Sequence, residues 1–231
     1  MNGGIVVLYI IDTADLEAIK HINEFYPVDG VTTNPSIIAK EKTDCIERLR
    51  EIRRIIGEDK ILCAQTLQTD AGLIVEEGKK LQEAIGGNFY LKVPIGEAGL
   101  KATMELKKLG IGVLMTAIFT PTQALMAAKA GADFVAPYVN RIDNVCGDGV
   151  GVVAEIVNQF DNYNITSCRV MAASFKNAQQ VNDCASVGCH IATIGPDIYK
   201  NLISHPLTDV AIEGFNRDWR SVYGDKQILD L

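Results

Sequence analysis

One lysine stands where lysines are seldom tolerated. Lys92 falls inside the apolar run Phe89-Tyr90-Leu91-Lys92-Val93-Pro94-Ile95. A lysine in such a strand loses its hydration, and burial disfavours the ammonium form of an amine. The form that gains is the free amine, the nucleophile that condenses with a ketone to give a Schiff base. The competing reading makes Lys92 a structural counter-ion to a buried carboxylate such as Asp12.

The elements that would hold such a group are legible in the hydrophobic pattern. Apolar runs of strand length recur at Val6–Ile11, Gly30–Thr33, Ile61–Gln65, Asn88–Val93, Gly112–Ala117, Asp133–Pro137, Arg169–Ala173 and His190–Ile194. Between them, Asp44–Ile56, Ala71–Ile85, Gly99–Leu109, Thr122–Ala130, Val150–Phe160 and Ala178–Val187 carry apolar residues at helical spacing. Gly57, Gly110, Gly131 and Gly188 follow four of these segments, in the place a helix end favours for glycine. Strand and helix alternate with no polar linker, which predicts a parallel sheet. The repeat is roughly 25 residues, which favours closure as a single (β/α)8 barrel over an open doubly wound sheet. That domain is expected to span residues 1–231. After the last strand, Pro196–Ser204 and Thr208–Tyr223 read as two helices. The second carries Ile212, Phe215, Trp219 and Val222 on one side, a stripe read first as core packing and second as a neighbouring subunit's contact. Residues 208–231 are thus expected to form a C-terminal helix and tail packed on a neighbour.

In a parallel barrel, chemistry gathers at the carboxyl ends of the strands. Polar residues cluster at those positions: Asp12, then Thr32, Thr33 and Asn34, then Gln65, Lys92, Thr116, then Tyr138, Asn140 and Arg141, then Ser174 and Lys176.

Composition narrows the class. The 231 residues are 48% hydrophobic and 22% charged, ordinary values for a globular chain. A formal net charge of −7 argues against general nucleic-acid binding without excluding a local basic pocket. Leu109–Ala128 is uncharged and long enough to span a bilayer, but Thr116, Thr120, Pro121, Thr122 and Gln123 interrupt it, so a strand, a turn and a helix are expected and no membrane span. The opening Met1–Ile11 lacks a basic region and breaks at Asp12, so a cytoplasmic protein is expected. Its cysteines, Cys45, Cys63, Cys146, Cys168, Cys184 and Cys189, are expected to be reduced and buried as small hydrophobes. His21, His190 and His205 lie far apart and show no metal-ligand spacing, so no metal site is expected, and His190 is expected to be structural.

Read in order, several motifs form a set. They are Leu8-Tyr9-Ile10-Ile11-Asp12-Thr13-Ala14-Asp15, Gly30-Val31-Thr32-Thr33-Asn34-Pro35-Ser36, Lys92-Val93-Pro94, Ala136-Pro137-Tyr138-Val139-Asn140-Arg141-Ile142-Asp143 and Ala172-Ala173-Ser174-Phe175-Lys176. The set resembles the transaldolase family, most closely its fructose-6-phosphate aldolase branch, over nearly the whole chain beyond the first seven or so residues. The resemblance implies a Schiff base between Lys92 and a dihydroxyacetone unit, with neither metal nor cofactor. It assigns acid–base work to Asp12, Gln65 and Tyr138 through a water that Thr116 helps to hold. Asn34 and Asp12 would bind substrate hydroxyls, with Thr33 beside them, and Arg141 and Ser174 would grip a phosphate with Lys176 nearby. Where some relatives carry arginine, Lys176 offers a point charge in place of a fork. Transaldolases of the family usually carry Glu and Phe where this chain has Gln65 and Tyr138, and the aldolase branch carries Gln and Tyr. The expected partners are sugar phosphates and dihydroxyacetone, and the expected assembly is a homo-decamer of two five-membered rings.

The other readings are these. The chain is a transaldolase that needs donor and acceptor together, or a non-catalytic sugar-phosphate-binding barrel. Arg141 could be a surface ion pair with Asp143 or Asp148. Cys146-Gly147-Asp148-Gly149-Val150-Gly151 reads as a flexible loop, and the charge run Arg48–Arg54 as a solvated helix face.

Overall fold

The computed structural model describes residues 7–230. Eight strands, β1 (Leu8–Asp12), β2 (Gly30–Thr32), β3 (Ile61–Gln65), β4 (Phe89–Pro94), β5 (Gly112–Ile118), β6 (Phe134–Pro137), β7 (Arg169–Ala172) and β8 (Ile191–Ile194), close into one parallel barrel in sequence order. Closure is made by β1 against β8, with Leu8 beside Ile191 and Ile11 beside Ile194. The (β/α)8 expectation is met, and strand boundaries move by two residues at most; Val6, expected in the first strand, lies outside the described residues.

Alternation along each strand sorts side chains into two cores. Ile11, Val31, Leu62, Leu91, Val113, Val135, Val170 and Ile194 face the helices. Ile10, Cys63, Leu114 and Met171 face inward, contributed by alternate strands, as closed barrels are filled. Gly30 is required where it stands, because a Cβ there would lie 2.2 Å from the Ile61 carbonyl oxygen.

The outer ring holds α1 (Leu16–Phe25), α2 (Pro35–Lys40), α3 (Cys45–Ile56), α4 (Ala71–Ile85), α5 (Glu97–Lys108), α6 (Pro121–Lys129), α7 (Val139–Asp143), α8 (Gly149–Asn162), α9 (Ala178–Ser186), α10 (Pro196–Ile203) and α11 (Pro206–Tyr223). Gly57, Gly110, Gly131 and Gly188 all take the positive φ expected past a helix end. Three helices were not anticipated: α1, α2 and α7. Asp15 and Asn34 start the first two by accepting backbone N–H groups of the opening turn.

Four expectations are corrected. The glycine-rich segment is not all loop: Asp148 Oδ1 accepts from Gly151 N at 2.7 Å and starts α8 at Gly149. The Arg48–Arg54 face is not all solvated, for Arg53 is buried and donates to the carbonyls of Gly57 and Lys60 at 2.8 and 2.7 Å. It closes the backbone where α3 turns back towards β3. Cys63, Cys168, Cys184 and Cys189 are buried as expected, but Cys45 and Cys146 are exposed. The apolar stripe of α11 is not core packing: no residue of that helix is buried, and Phe215 is 71% exposed. Trp219 stacks on Tyr223 and donates to the Lys226 carbonyl at 2.7 Å. Among the described residues no helix is long and apolar enough to cross a membrane.

Candidate active site

Lys92 sits on β4, pointing inward, with 3% of its surface exposed. Its Nζ donates to the Thr33 carbonyl at 3.2 Å, a neutral partner. Among the described residues no carboxylate oxygen lies within ion-pairing distance of it. Asp12, the counter-ion the structural reading requires, accepts instead from the Thr32 hydroxyl at 2.7 Å. Lys92 is therefore a buried lysine with no paired anion, which leaves the structural counter-ion reading without its partner.

The neighbours follow from strand register. Gln65 is the register partner of Lys92 on β3, so their side chains stand side by side. Cys63 lies one step below Gln65 on the same inward face, and burial pushes its thiol up to about 12, with Lys92 opposing. Cys63 thus stays a neutral thiol beneath the amine.

On the next two strands, the Thr116 and Tyr138 hydroxyls meet at 2.8 Å. A bulge makes this meeting possible. β5 advances from Met115 to Ile118 while β6 advances only from Val135 to Pro137, so β5 carries one extra residue. Ala117 absorbs it with φ +58°, a left-handed conformation unusual for a residue with a Cβ. Thr116 stays inward, Ile118 returns to the outer core, and the Ile118 carbonyl accepts from Tyr138 N at 3.1 Å.

The mouth carries the cations. Arg141, on α7, lies with its guanidinium carbon 4.7 Å from the centre of the Tyr138 ring. Among the described residues it forms no ion pair with Asp143 or Asp148. Those carboxylates accept from Gly149 N and Gly151 N instead. Ser174, also left-handed at φ +65°, follows β7, and its carbonyl accepts from Asn140 N at 3.2 Å. Lys176 is exposed beyond it.

A cavity of about 370 Å³ gathers Asp12, Asn34, Lys92, Tyr138, Arg141, Ser174 and Lys176 around one space. Gln65 and Thr33 line an adjoining apolar space under α2. The Thr33 side chain is committed to the wall, donating to the Cys63 carbonyl at 3.0 Å, so its nearest link to Lys92 is through its backbone oxygen. Asn34 caps α2 through Oδ1, which accepts from Ile37 N at 3.0 Å. Thr32, which the sequence placed among the polar strand ends without a role, and Thr193, which it did not single out, are buried polar residues within this constellation; Thr193 also lines the cavity. Lys40, Glu41 and Asp197 add charge of both signs at the rim. Among the described residues no cluster of three or more His, Cys, Asp or Glu side chains is placed to hold a metal.

Comparison with known proteins bears on this site. A family described as transaldolase/fructose-6-phosphate aldolase matches residues 9–226. A "probable transaldolase" of Clostridium acetobutylicum is 41% identical over 213 residues, covering 92% of this chain and 97% of that protein. Among solved structures, one described as "Native KDPGal structure" superposes with a TM-score of 0.59 at 16% identity, covering 96% of this chain and 97% of the other. A mandelate oxidase variant superposes at 0.56 with 12% identity, covering 83% of this chain, which spans 64% of that protein's length. A flavocytochrome b2 variant superposes at 0.57 with 13% identity and the same coverage of this chain, which spans 57% of it. These structural likenesses show a shared barrel and no more. The match along nearly its whole length and the close relative establish that this chain belongs to the transaldolase/fructose-6-phosphate aldolase family.

Proposed function

We propose that this protein is a class I aldolase that cleaves fructose 6-phosphate to dihydroxyacetone and glyceraldehyde 3-phosphate and runs the reverse condensation. The observation that carries this reading is the inward amine of Lys92, 3% exposed and hydrogen-bonded to a neutral carbonyl.

The Lys92 amine adds to the C2 carbonyl and loses water, giving an iminium. The C3–C4 bond then breaks, its electron pair flowing into the iminium to leave an enamine. The C4 hydroxyl gives up its proton as glyceraldehyde 3-phosphate forms. Asp12 and Tyr138 carry that proton through a water that Gln65 and Thr116 hold. Protonation of the enamine and hydrolysis of the resulting iminium release dihydroxyacetone and the free amine. Arg141, Ser174 and Lys176 grip the phosphate with charge-assisted hydrogen bonds, and Asn34 meets substrate hydroxyls.

Tyr138 favours the aldolase over a transaldolase. Its phenol, hydrogen-bonded to Thr116 at 2.8 Å, supports a group that returns a proton to the enamine and frees the three-carbon unit. A second reading, transfer of that unit to an acceptor aldehyde, is favoured by the 41% identical relative described as a probable transaldolase. A coupled assay with fructose 6-phosphate, with and without erythrose 4-phosphate, separates the two. Glyceraldehyde 3-phosphate is expected without the acceptor, and Tyr138→Phe is expected to lower that release about a hundredfold or more while sparing transfer. Release only with the acceptor would make the protein a transaldolase. Binding without Lys92 modification by borohydride would leave a non-catalytic barrel.

The same reading extends to assembly. α11 turns Leu207, Val210, Phe215 and Val222 to solvent, each more than 60% exposed, and this favours burial against a neighbouring subunit in a decamer of two rings. A monomer by light scattering would refute it.

A further inference from the structure

Thr32 and Thr193 have no part in the chemistry above, yet both are buried, at 0% and 2% exposure, at the catalytic end of the barrel. They flank β1 from opposite sides. Thr32 on β2 is the register partner of Asp12, and Thr193 on β8 is the register partner of Ile10. Their hydroxyl oxygens lie 2.5 Å apart although 161 residues separate them in sequence. A hydroxyl has one proton to give. That of Thr32 is committed to Asp12 Oδ1 at 2.7 Å, so towards Thr193 it can only accept. The direction of the chain is thereby fixed.

We propose that Thr193 and Thr32 are positioning residues that form an ordered hydrogen-bond relay, Thr193 donating to Thr32 and Thr32 to Asp12 Oδ1, which locks the Asp12 carboxylate for carbon–carbon bond cleavage. This rests on the role proposed above for Asp12. With Oδ1 held from behind, Oδ2 is the oxygen left to meet the substrate hydroxyl, and the carboxylate cannot turn away during the proton transfer. A strand interior accepts valine as readily as threonine, so packing alone does not ask for either hydroxyl. Neither threonine reaches Lys92 through this chain, so the relay serves the cleavage step and not Schiff-base formation.

The test compares Thr193→Val, Thr193→Ser, Thr32→Val and the Thr32→Val/Thr193→Val double variant. Expected are a fall in kcat of about tenfold to a hundredfold for Thr32→Val, the size of a lost charge-assisted hydrogen bond, and of about threefold to tenfold for Thr193→Val, which loses a neutral one, with little change in KM. Borohydride trapping of dihydroxyacetone on Lys92 stays at the level of the unsubstituted protein. Thr193→Ser restores turnover, and the double variant is no slower than the worse single one, because both act through one chain. Unchanged kcat, a serine variant no better than valine, or multiplicative losses in the double variant would each overturn the relay. If the valine variants do not fold, Thr193→Ala against Thr193→Ser makes the same comparison. Asp12→Asn keeps the two levels apart. If it leaves cleavage intact, the role of Asp12 is wrong. If it stops cleavage while Thr193→Val does not, the relay alone is wrong.

Discussion

Six strands of this barrel carry a largely apolar inward side chain and, two positions later, a polar one. Ile10 precedes Asp12, Cys63 precedes Gln65, Tyr90 precedes Lys92, Leu114 precedes Thr116, Ala136 precedes Tyr138 and Ile191 precedes Thr193. Two positions along a strand is one step on the same face, so the interior changes character within about 7 Å. Below the step the side chains pack against one another as an inner core. Above it they are amine, carboxylate and hydroxyls around a cavity, with the Gln65 amide at the adjoining space. The lower layer anchors strands whose upper ends hold groups that gain little from burial. Function and stability are thereby assigned to successive layers of the same strands.

Substitutions on either side of the step should separate the two properties. The largest effect is expected for Lys92→Ala, which removes the nucleophile and should lower turnover by several orders of magnitude while the circular dichroism spectrum stays native. Loss of that spectrum would return Lys92 to a structural role. Met171→Ala, one layer down at 0% exposure, should do the reverse, costing about 2–5 kcal/mol by leaving a cavity, seen as a lower urea midpoint. Borohydride trapping per folded molecule should hold; a collapse there would mean that the two layers are not separable. The smallest effect is expected at the amino end of β8, where His190 Nδ1 accepts from Val170 N at 3.1 Å. Burial, and then Arg169, hold the His190 imidazole below its ordinary range. The unfolded chain takes up this proton first as pH falls. Stability from the neutral ring is therefore complete above about pH 6.5 and declines below it, until the folded protein is protonated too. Urea midpoints at neutral and mildly acidic pH should show this slope, and His190→Asn should flatten it without altering turnover.

The barrel was legible because each strand is an apolar run bounded by polar residues, and Ile61–Gln65 has the same ends in sequence and structure. Lys92 was legible because a lysine contradicts its surroundings. Thr193 was not, since in Ile191-Ala192-Thr193-Ile194 a β-branched residue is what a strand favours, and its hydroxyl gains meaning only opposite Thr32. The helices α2 and α7, of 6 and 5 residues, are too short to show a period. Arg53 belonged to the apolar stripe of α3, and the charges around it hid that its guanidinium serves backbone carbonyls. The stripe on α11 was visible, but an apolar face does not say which surface covers it.

The extra residue in β5 has the character of a frameshift. A strand is read two residues at a time, and Ala117 inserts one position so that every side chain after it changes face. Flattening the bulge with Ala117 kept in the strand would leave the composition of the site intact and yet turn Ile118 inward and draw its carbonyl away from Tyr138 N. Residues entering this position must accept a left-handed backbone, which favours glycine or asparagine and disfavours valine or isoleucine. Beyond the side chains around its cavity, this chain is thus constrained, at one small alanine, by the parity of its fifth strand.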